Sequence, residues 1–172
     1  MPAADSQPRE SAQRKSAQEP EAGDFDLGAA VHHDGEPRVV RTPRRFLIDH
    51  PEGRFLVDTG DTWRNSVPGY LPRWNPFFTK EVVIKVAPGE EIGPRLNVLG
   101  LEAARDIAAV ILTHFHHDHT GGLDHFPHNR IIASRESYDA SRGLKGMLAG
   151  CLPQRWPIWL KPELVEMDGP AV

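Results

Sequence analysis

The chain has a single cysteine, Cys151, among its 172 residues. One thiol closes no intrachain disulfide and builds no thiolate cluster of the kind that holds structural zinc, so a reducing compartment, the cytoplasm, is the expected location. Long apolar runs are also missing. The longest pure one, Ile107 to Leu112, falls far short of the roughly 20 residues that a membrane helix needs. Met1 to Glu21 consists of Ser, Ala, Gln, Pro and mixed charges, without the apolar stretch of a secretory leader. Positive charge is not in excess either. With 20 Lys+Arg against 24 Asp+Glu, the net charge is −4 and the isoelectric point about 6.1. Such a chain has no broad cationic field to gather phosphates, which argues against nucleic acid as a partner, and nothing here points to a membrane.

What is present fits one soluble domain with substantial loop content: 39% hydrophobic residues, 26% charged residues, 16 prolines and a mean hydropathy of −0.46. Met1 to about Gly23 lacks aromatic and branched aliphatic side chains. It cannot recover the cost of ordering its backbone and reads as a disordered tail, residues 1–23, ahead of a domain over 24–172. Short β-rich runs begin at Val39-Val40 and continue with Phe46-Leu47-Ile48 and Phe55-Leu56-Val57, the last two flanking a hairpin turn at Asp49 to Gly53. A long segment rich in Pro, Trp and Phe, Thr62 to Lys80, is open to two readings, a pocket wall or a surface loop whose Trp63, Trp74, Phe77 and Phe78 cap the core. Helix is expected from about Glu91 to Leu99 with Gly100 as its stop, a buried strand over Ile107 to Leu112, and a second strand at Ile131-Ile132-Ala133. Ser134 is suited to cap a helix running to about Arg142. Past Gly143, the prolines Pro153, Pro157, Pro162 and Pro170 predict an extended, partly buried connection.

The chemistry concentrates between the two later strands, in Thr113-His114-Phe115-His116-His117-Asp118-His119-Thr120-Gly121-Gly122. The preceding strand and the following glycines make a helix an unlikely setting. In extended backbone, residues two apart project to one side, so His114 and His116 can converge on one cation while Asp118 and His119 curl toward a second. Imidazole with carboxylate favours zinc, with manganese or iron as harder alternatives, and two cations about 3.5–4 Å apart can share a bridging hydroxide as nucleophile. The alternative, a solvated histidine-rich turn, does not account for the buried strand before the motif and the Gly-Gly after it.

Thr113 to Gly122 resembles the His-x-His-x-Asp-His motif of the metallo-β-lactamase superfamily. Phe55-Leu56-Val57-Asp58-Thr59-Gly60 is similar to the strand-and-Asp element of that superfamily, and Arg44 to Gly60, Ala103 to Gly122 and Ile131 to Tyr138 together most resemble its N-acyl-homoserine-lactonase-like branch. The resemblance implies an α/β (α+β) fold, the N-terminal half of an αββα sandwich. It implies that His114 and His116 bind one metal and Asp118 and His119 another, zinc in the first instance, with Asp58 supporting the ligands from behind. It also implies a metal-dependent hydrolase of small esters or lactones, in which Asp118 is the catalytic residue that passes the proton to the leaving group.

The resembled pattern requires a further histidine, a bridging aspartate and a final histidine, and after His119 the chain offers only His125 and His128, read as solvent-facing loop residues. The expectation is therefore a truncated domain with weak metal affinity and an exposed core face prone to self-association. A different class of function, a non-catalytic remnant or half of a split protein, stands beside the hydrolase, and a glyoxalase II-like thioester hydrolase is the rival within the fold. His50, His117 and His32-His33-Asp34 receive no role. Cys151 reads as a small buried residue.

Overall fold

The computed structural model describes residues 45–75, 78 and 84–167. The expected tail, the Val39-Val40 run, His32-His33-Asp34 and Phe77 lie outside the described residues. Among the described residues five strands form one sheet in the order of the chain: β1 (Phe46–His50), β2 (Gly53–Val57), β3 (Ile107–Leu112), β4 (Arg130–Ser134) and β5 (Glu163–Val165). β1 and β2 are the expected hairpin, antiparallel with His50 opposite Gly53, and β2 through β5 run parallel. The nearly continuous apolar sequence of β3 suits a parallel strand with neighbours on both sides.

Among the described residues the strands are joined by the short α-helices α1 (Ile92–Val98), α2 (Ala103–Asp106), α3 (His117–Thr120), α4 (Arg135–Ala140) and α5 (Gly143–Leu148). α1 ends where expected, because Gly100 takes a φ of +74° and lets its own N–H and that of Leu101 reach back to the carbonyls of Asn97 and Leu96. Ser134 caps α4, its Oγ accepting from the Ser137 N–H at 3.0 Å.

Leu56, Val110, Leu112, Ile131 and Ala133 meet Ile92, Leu96, Phe115, Leu123 and Phe126 in one core. Each fully buried large side chain here contributes on the order of 1.5–3 kcal/mol. The opposite sheet face has less cover. Phe46 and Ile48 of β1 and Val165 of β5 are exposed, and in register with them Phe55, Val57, Ile111 and Ile132 are only half-buried. No helix among the described residues is long and apolar enough to cross a membrane.

Three expectations need correction. The motif is not wholly extended: α3 makes one helical turn from His117 to Thr120, with the N–H groups of His119 and Thr120 both donating to the His116 carbonyl at 3.0 and 3.2 Å. The segment past Gly143 is not merely an extended connection, for it contains α5 and β5. Gly143 enters α5 at a φ of +67°, and Gly146 lies against the Ser141 backbone where a Cβ would collide. The prolines that argued against regular structure stand between α5 and β5 or beyond. Third, His125 is not a solvent-facing loop residue. Its ring is half-buried, with Nε2 3.0 Å from Glu91 Oε2, and it packs on Gly93, where a Cβ would meet Nδ1. His128 is exposed as expected. In the Thr62 to Lys80 segment, Trp63 and Trp74 are exposed while Phe78 is buried, so the aromatics there share no single task.

Candidate metal centre

The site forms at the carboxyl ends of β2 and β3, where Asp58-Thr59-Gly60 meets Thr113 to Gly122. Asp58 has a φ of +60°, the only non-glycine among the described residues with positive φ. That left-handed turn carries the chain away from β2 and aims the carboxylate at the end of β3. Oδ1 accepts from the Thr113 N–H at 2.9 Å, and Oδ2 accepts from the Thr113 hydroxyl at 2.8 Å and faces His119 Nδ1 at 2.8 Å. Thr59 ties the two segments together a second time. Its N–H and hydroxyl both donate to the His119 carbonyl, at 2.9 and 2.8 Å, while its Oγ1 accepts from the Gly122 N–H at 3.0 Å.

Gly121 and Gly122 make this contact possible. A Cβ on Gly121 would stand 2.7 Å from Thr62 N and 2.8 Å from Gly60 O, and one on Gly122 would stand 2.7 Å from Thr59 O. These are backbone atoms, which have no rotamer to give way. The sharp bend of α3 then returns Asp118 and His119 toward His114, and the ligand atoms of these three residues lie within 4.8 Å of one another. The ring centroids of His114 and His119 are 3.8 Å apart, and those of His114 and His116 are 4.6 Å apart. Asp118 is buried and the three histidines His114, His116 and His119 are half-buried.

The protonation preferences of the two imidazoles differ. Burial first, and then the neighbouring His119 and His116, push the His114 imidazole below its usual range, toward the neutral form that ligates metal. Burial also works against charge on His119, but the hydrogen bond and charge of Asp58, with Asp118 and Asp61, outweigh it and lift the group. With Asp58 occupying Nδ1, Nε2 of His119 is left toward the cluster, 3.6 Å from Asp118 Oδ2. Two imidazoles and a carboxylate converging in a partly buried recess form a donor set that fits a divalent cation of the zinc, manganese or iron type.

The residues singled out from sequence thus fall into one place. His114, Asp118 and His119 converge as a triple, His116 lies alongside His114, and Asp58 stands behind His119. His117 points elsewhere. It is buried, its Nδ1 is 3.5 Å from Asp61 Oδ1, and its ring meets Phe78 edge-on at 5.0 Å. Cys151 is buried beside the motif strand, paired with His116 by a β-bridge, and burial followed by the Asp118 charge pushes its thiol up to about 11. His50 remains in the hairpin, its Nδ1 accepting from the Glu52 N–H at 3.2 Å. Sequence reasoning gave no role to Thr59 and Thr113, whose only signal was their place inside the two motif segments. Nor did it find the buried carboxylates Asp61 and Glu91, which carry no spacing signature.

The family model described as Metallo-beta-lactamase superfamily matches residues 46–158. An N-acyl homoserine lactonase from a Bacillus species is 31% identical over 108 residues, covering 62% of this chain and 42% of the relative. The N-acyl homoserine lactonase AttM of Azorhizobium caulinodans is 30% identical over 95 residues, covering 55% and 35%. Among solved structures, an N-acyl homoserine lactone hydrolase with the product N-hexanoyl-L-homoserine at its catalytic metal centre aligns with a TM-score of 0.58 at 28% identity, over 74% of this chain and 49% of that one. A mutant of the Bacillus thuringiensis AiiA protein with N-decanoyl-L-homoserine at its active site aligns with a TM-score of 0.54 at 26% identity, over 74% and 49%. The chain therefore spans half or less of the length of these relatives.

Proposed function

Because this chain belongs to the metallo-beta-lactamase superfamily, we propose that it is the ligand-bearing part of a metal-dependent hydrolase of small esters or lactones, with acylated homoserine lactones as the first substrates to try. The observation that carries this reading is the convergence of His114, Asp118 and His119 within 4.8 Å, held from behind by Asp58. The named activities of its relatives support the substrate class.

In this reading His114 and His116 would hold one cation and Asp118 and His119 a second, zinc in the first instance. When bound, such cations polarise an ester carbonyl and lower the pKa of water. The chain's own residues do the rest. Asp58 fixes the His119 ring and tautomer, and Thr113 fixes Asp58 in turn. Water adds to the lactone carbonyl carbon and the ring C–O bond breaks. The Asp118 carboxylate carries the proton released from water to the departing ring oxygen, a task closed to an imidazole whose acceptor nitrogen is a ligand.

A non-catalytic role, as one part of a divided domain, is the second reading. It is favoured by the donor count, since among the described residues His114, Asp118 and His119 form the only group of three or more metal-binding side chains. The two readings separate in one assay. The chain is supplied with zinc or manganese, and the ring opening of N-hexanoyl homoserine lactone is followed by proton release, alongside Asp118→Asn. Turnover above the metal-only control, lost in Asp118→Asn, supports the hydrolase; turnover equal in both proteins and the control leaves the non-catalytic role.

A further inference from the structure

Asp61 is 1% exposed, a carboxylate inside the fold beside the metal motif yet outside the His114, Asp118 and His119 group. It follows Asp58 in the same loop, and each of these carboxylates faces one motif histidine. Asp58 Oδ2 is 2.8 Å from His119 Nδ1, and Asp61 Oδ1 is 3.5 Å from His117 Nδ1. Asp118 lies between those two histidines in the sequence, within the single turn of α3. We propose that Asp61 is a positioning residue of the metal centre, which holds α3 through His117 so that the Asp118 carboxylate meets His114 and His119.

α3 is four residues long, too short to sustain itself by its own hydrogen bonds. Its placement is set by what grips it, and both of its ends rest on Asp61. At the start, the His117 ring reaches the Asp61 carboxylate, and Phe78 meets the same ring edge-on at 5.0 Å. Past the end, Gly121 lies on the loop backbone, where a Cβ would stand 2.8 Å from the Asp61 carbonyl carbon and 2.7 Å from Thr62 N.

The carboxylate is itself held. Oδ1 accepts from the Thr62 N–H at 3.0 Å and from the Asn65 amide, whose nitrogen also lies 3.4 Å from His117 Nδ1. A carboxylate only accepts, so the His117 Nδ1 that faces it carries a proton. Oδ2 is buried and takes no hydrogen bond among the described residues. Opposite charge stands close by. The Arg45 guanidinium lies on Gly60, where a Cβ would be 2.3 Å from Nη2; burial lowers the arginine, and Asp61 is foremost among the charges that oppose that effect. Burying a carboxylate is unfavourable unless charge and hydrogen bonds answer it. Arg45, Asn65 and the Thr62 N–H do so here, and His117 is the part of the motif that the carboxylate reaches.

This assignment rests on the metal-site reading, and two measurements separate them. Zinc affinity is measured by competition with a chromophoric chelator. In the metal-free chain, NMR reads the cross-peaks between the Asp118 β-protons and the His119 ring. His117→Asn keeps a donor at the Nδ1 position and loses the bulk of the ring, whereas His117→Leu keeps the bulk and loses the donor. The expected result is that His117→Asn binds zinc within about threefold of the wild type and keeps the cross-peaks, while His117→Leu loses them together with about tenfold in affinity. Asp61→Asn should weaken zinc binding by about fivefold in the wild type and add little in His117→Leu, because it acts through the same histidine. A packing role alone would reverse the order of the two His117 variants. That reversal, or full additivity of Asp61→Asn with His117→Leu, would overturn the assignment. Absence of zinc binding in the wild type would defeat the metal reading, and the cross-peaks in the metal-free variants would still decide whether Asp61 positions Asp118.

Discussion

Asp58 Oδ2 lies 2.8 Å from His119 Nδ1, joining the end of β2 to the far side of the histidine motif. The contact sets the ring orientation of His119, and the same carboxylate takes both donors of Thr113. Asn is the informative replacement, because it tolerates a φ of +60° and so removes charge without adding backbone strain. Asp58→Asn should lower zinc affinity by about 10–100-fold, the usual cost of removing a partner behind a ligating histidine. Competition with a chromophoric chelator measures this, and an unchanged affinity would remove Asp58 from the account.

Gly121 packs its Cα against the backbone of Gly60, Asp61 and Thr62, with no room for a methyl group. Gly121→Ala should therefore destabilise the fold by about 1–3 kcal/mol, as overpacking against atoms that cannot turn aside does. Urea unfolding measures it. A loss below about 0.5 kcal/mol would show that the motif bend is softer than this packing implies.

Glu91 supplies the acid sensitivity. Burial would raise its carboxyl, but hydrogen bonds from Thr62 and His125, and from the Trp63 N–H, outweigh burial and hold it below its usual value near 4.5. A carboxyl depressed in the folded state adds stability above its unfolded pKa, and that stability is lost as the pH falls through the folded value. Glu91→Gln should cost about 2 kcal/mol at pH 7, and the difference from wild type should shrink as the pH drops below about 4.5. Thermal unfolding from pH 3 to 7 follows it; a difference independent of pH would contradict the assignment.

The uncovered sheet face predicts association. Phe46 and Ile48 are 49% and 45% exposed on a face whose neighbours Phe55 and Val57 are also apolar, and patches of this kind mark interaction surfaces. Sedimentation velocity should show concentration-dependent association of the chain, reduced in Ile48→Lys. A monomer at every concentration would mean that the face is tolerated in water.

Much of this was legible in the sequence because local rules and tertiary structure agree there. β3 reads as a continuous apolar run, Gly100 and Ser134 stand where helix ends need them, and the motif advertises itself by spacing. What was not legible depends on distant partners. His125 looks like any loop histidine until Glu91 and Gly93 close around it. α5 begins at a glycine with positive φ and is only six residues long, too short for periodicity to announce. The approach of Asp118 and His119 to His114 depends on the single helical turn of α3, which four residues are too few to announce.

The central claim, that the motif is a metal site, is tested most directly by isothermal titration of zinc into the chelator-treated chain, alongside His114→Ala, Asp118→Ala and His128→Ala. Saturable binding that is lost in the first two variants, with unchanged circular dichroism, and kept when the exposed His128 is removed is the predicted result. Absence of saturable binding in the wild type, or wild-type binding in His114→Ala and Asp118→Ala, would contradict it.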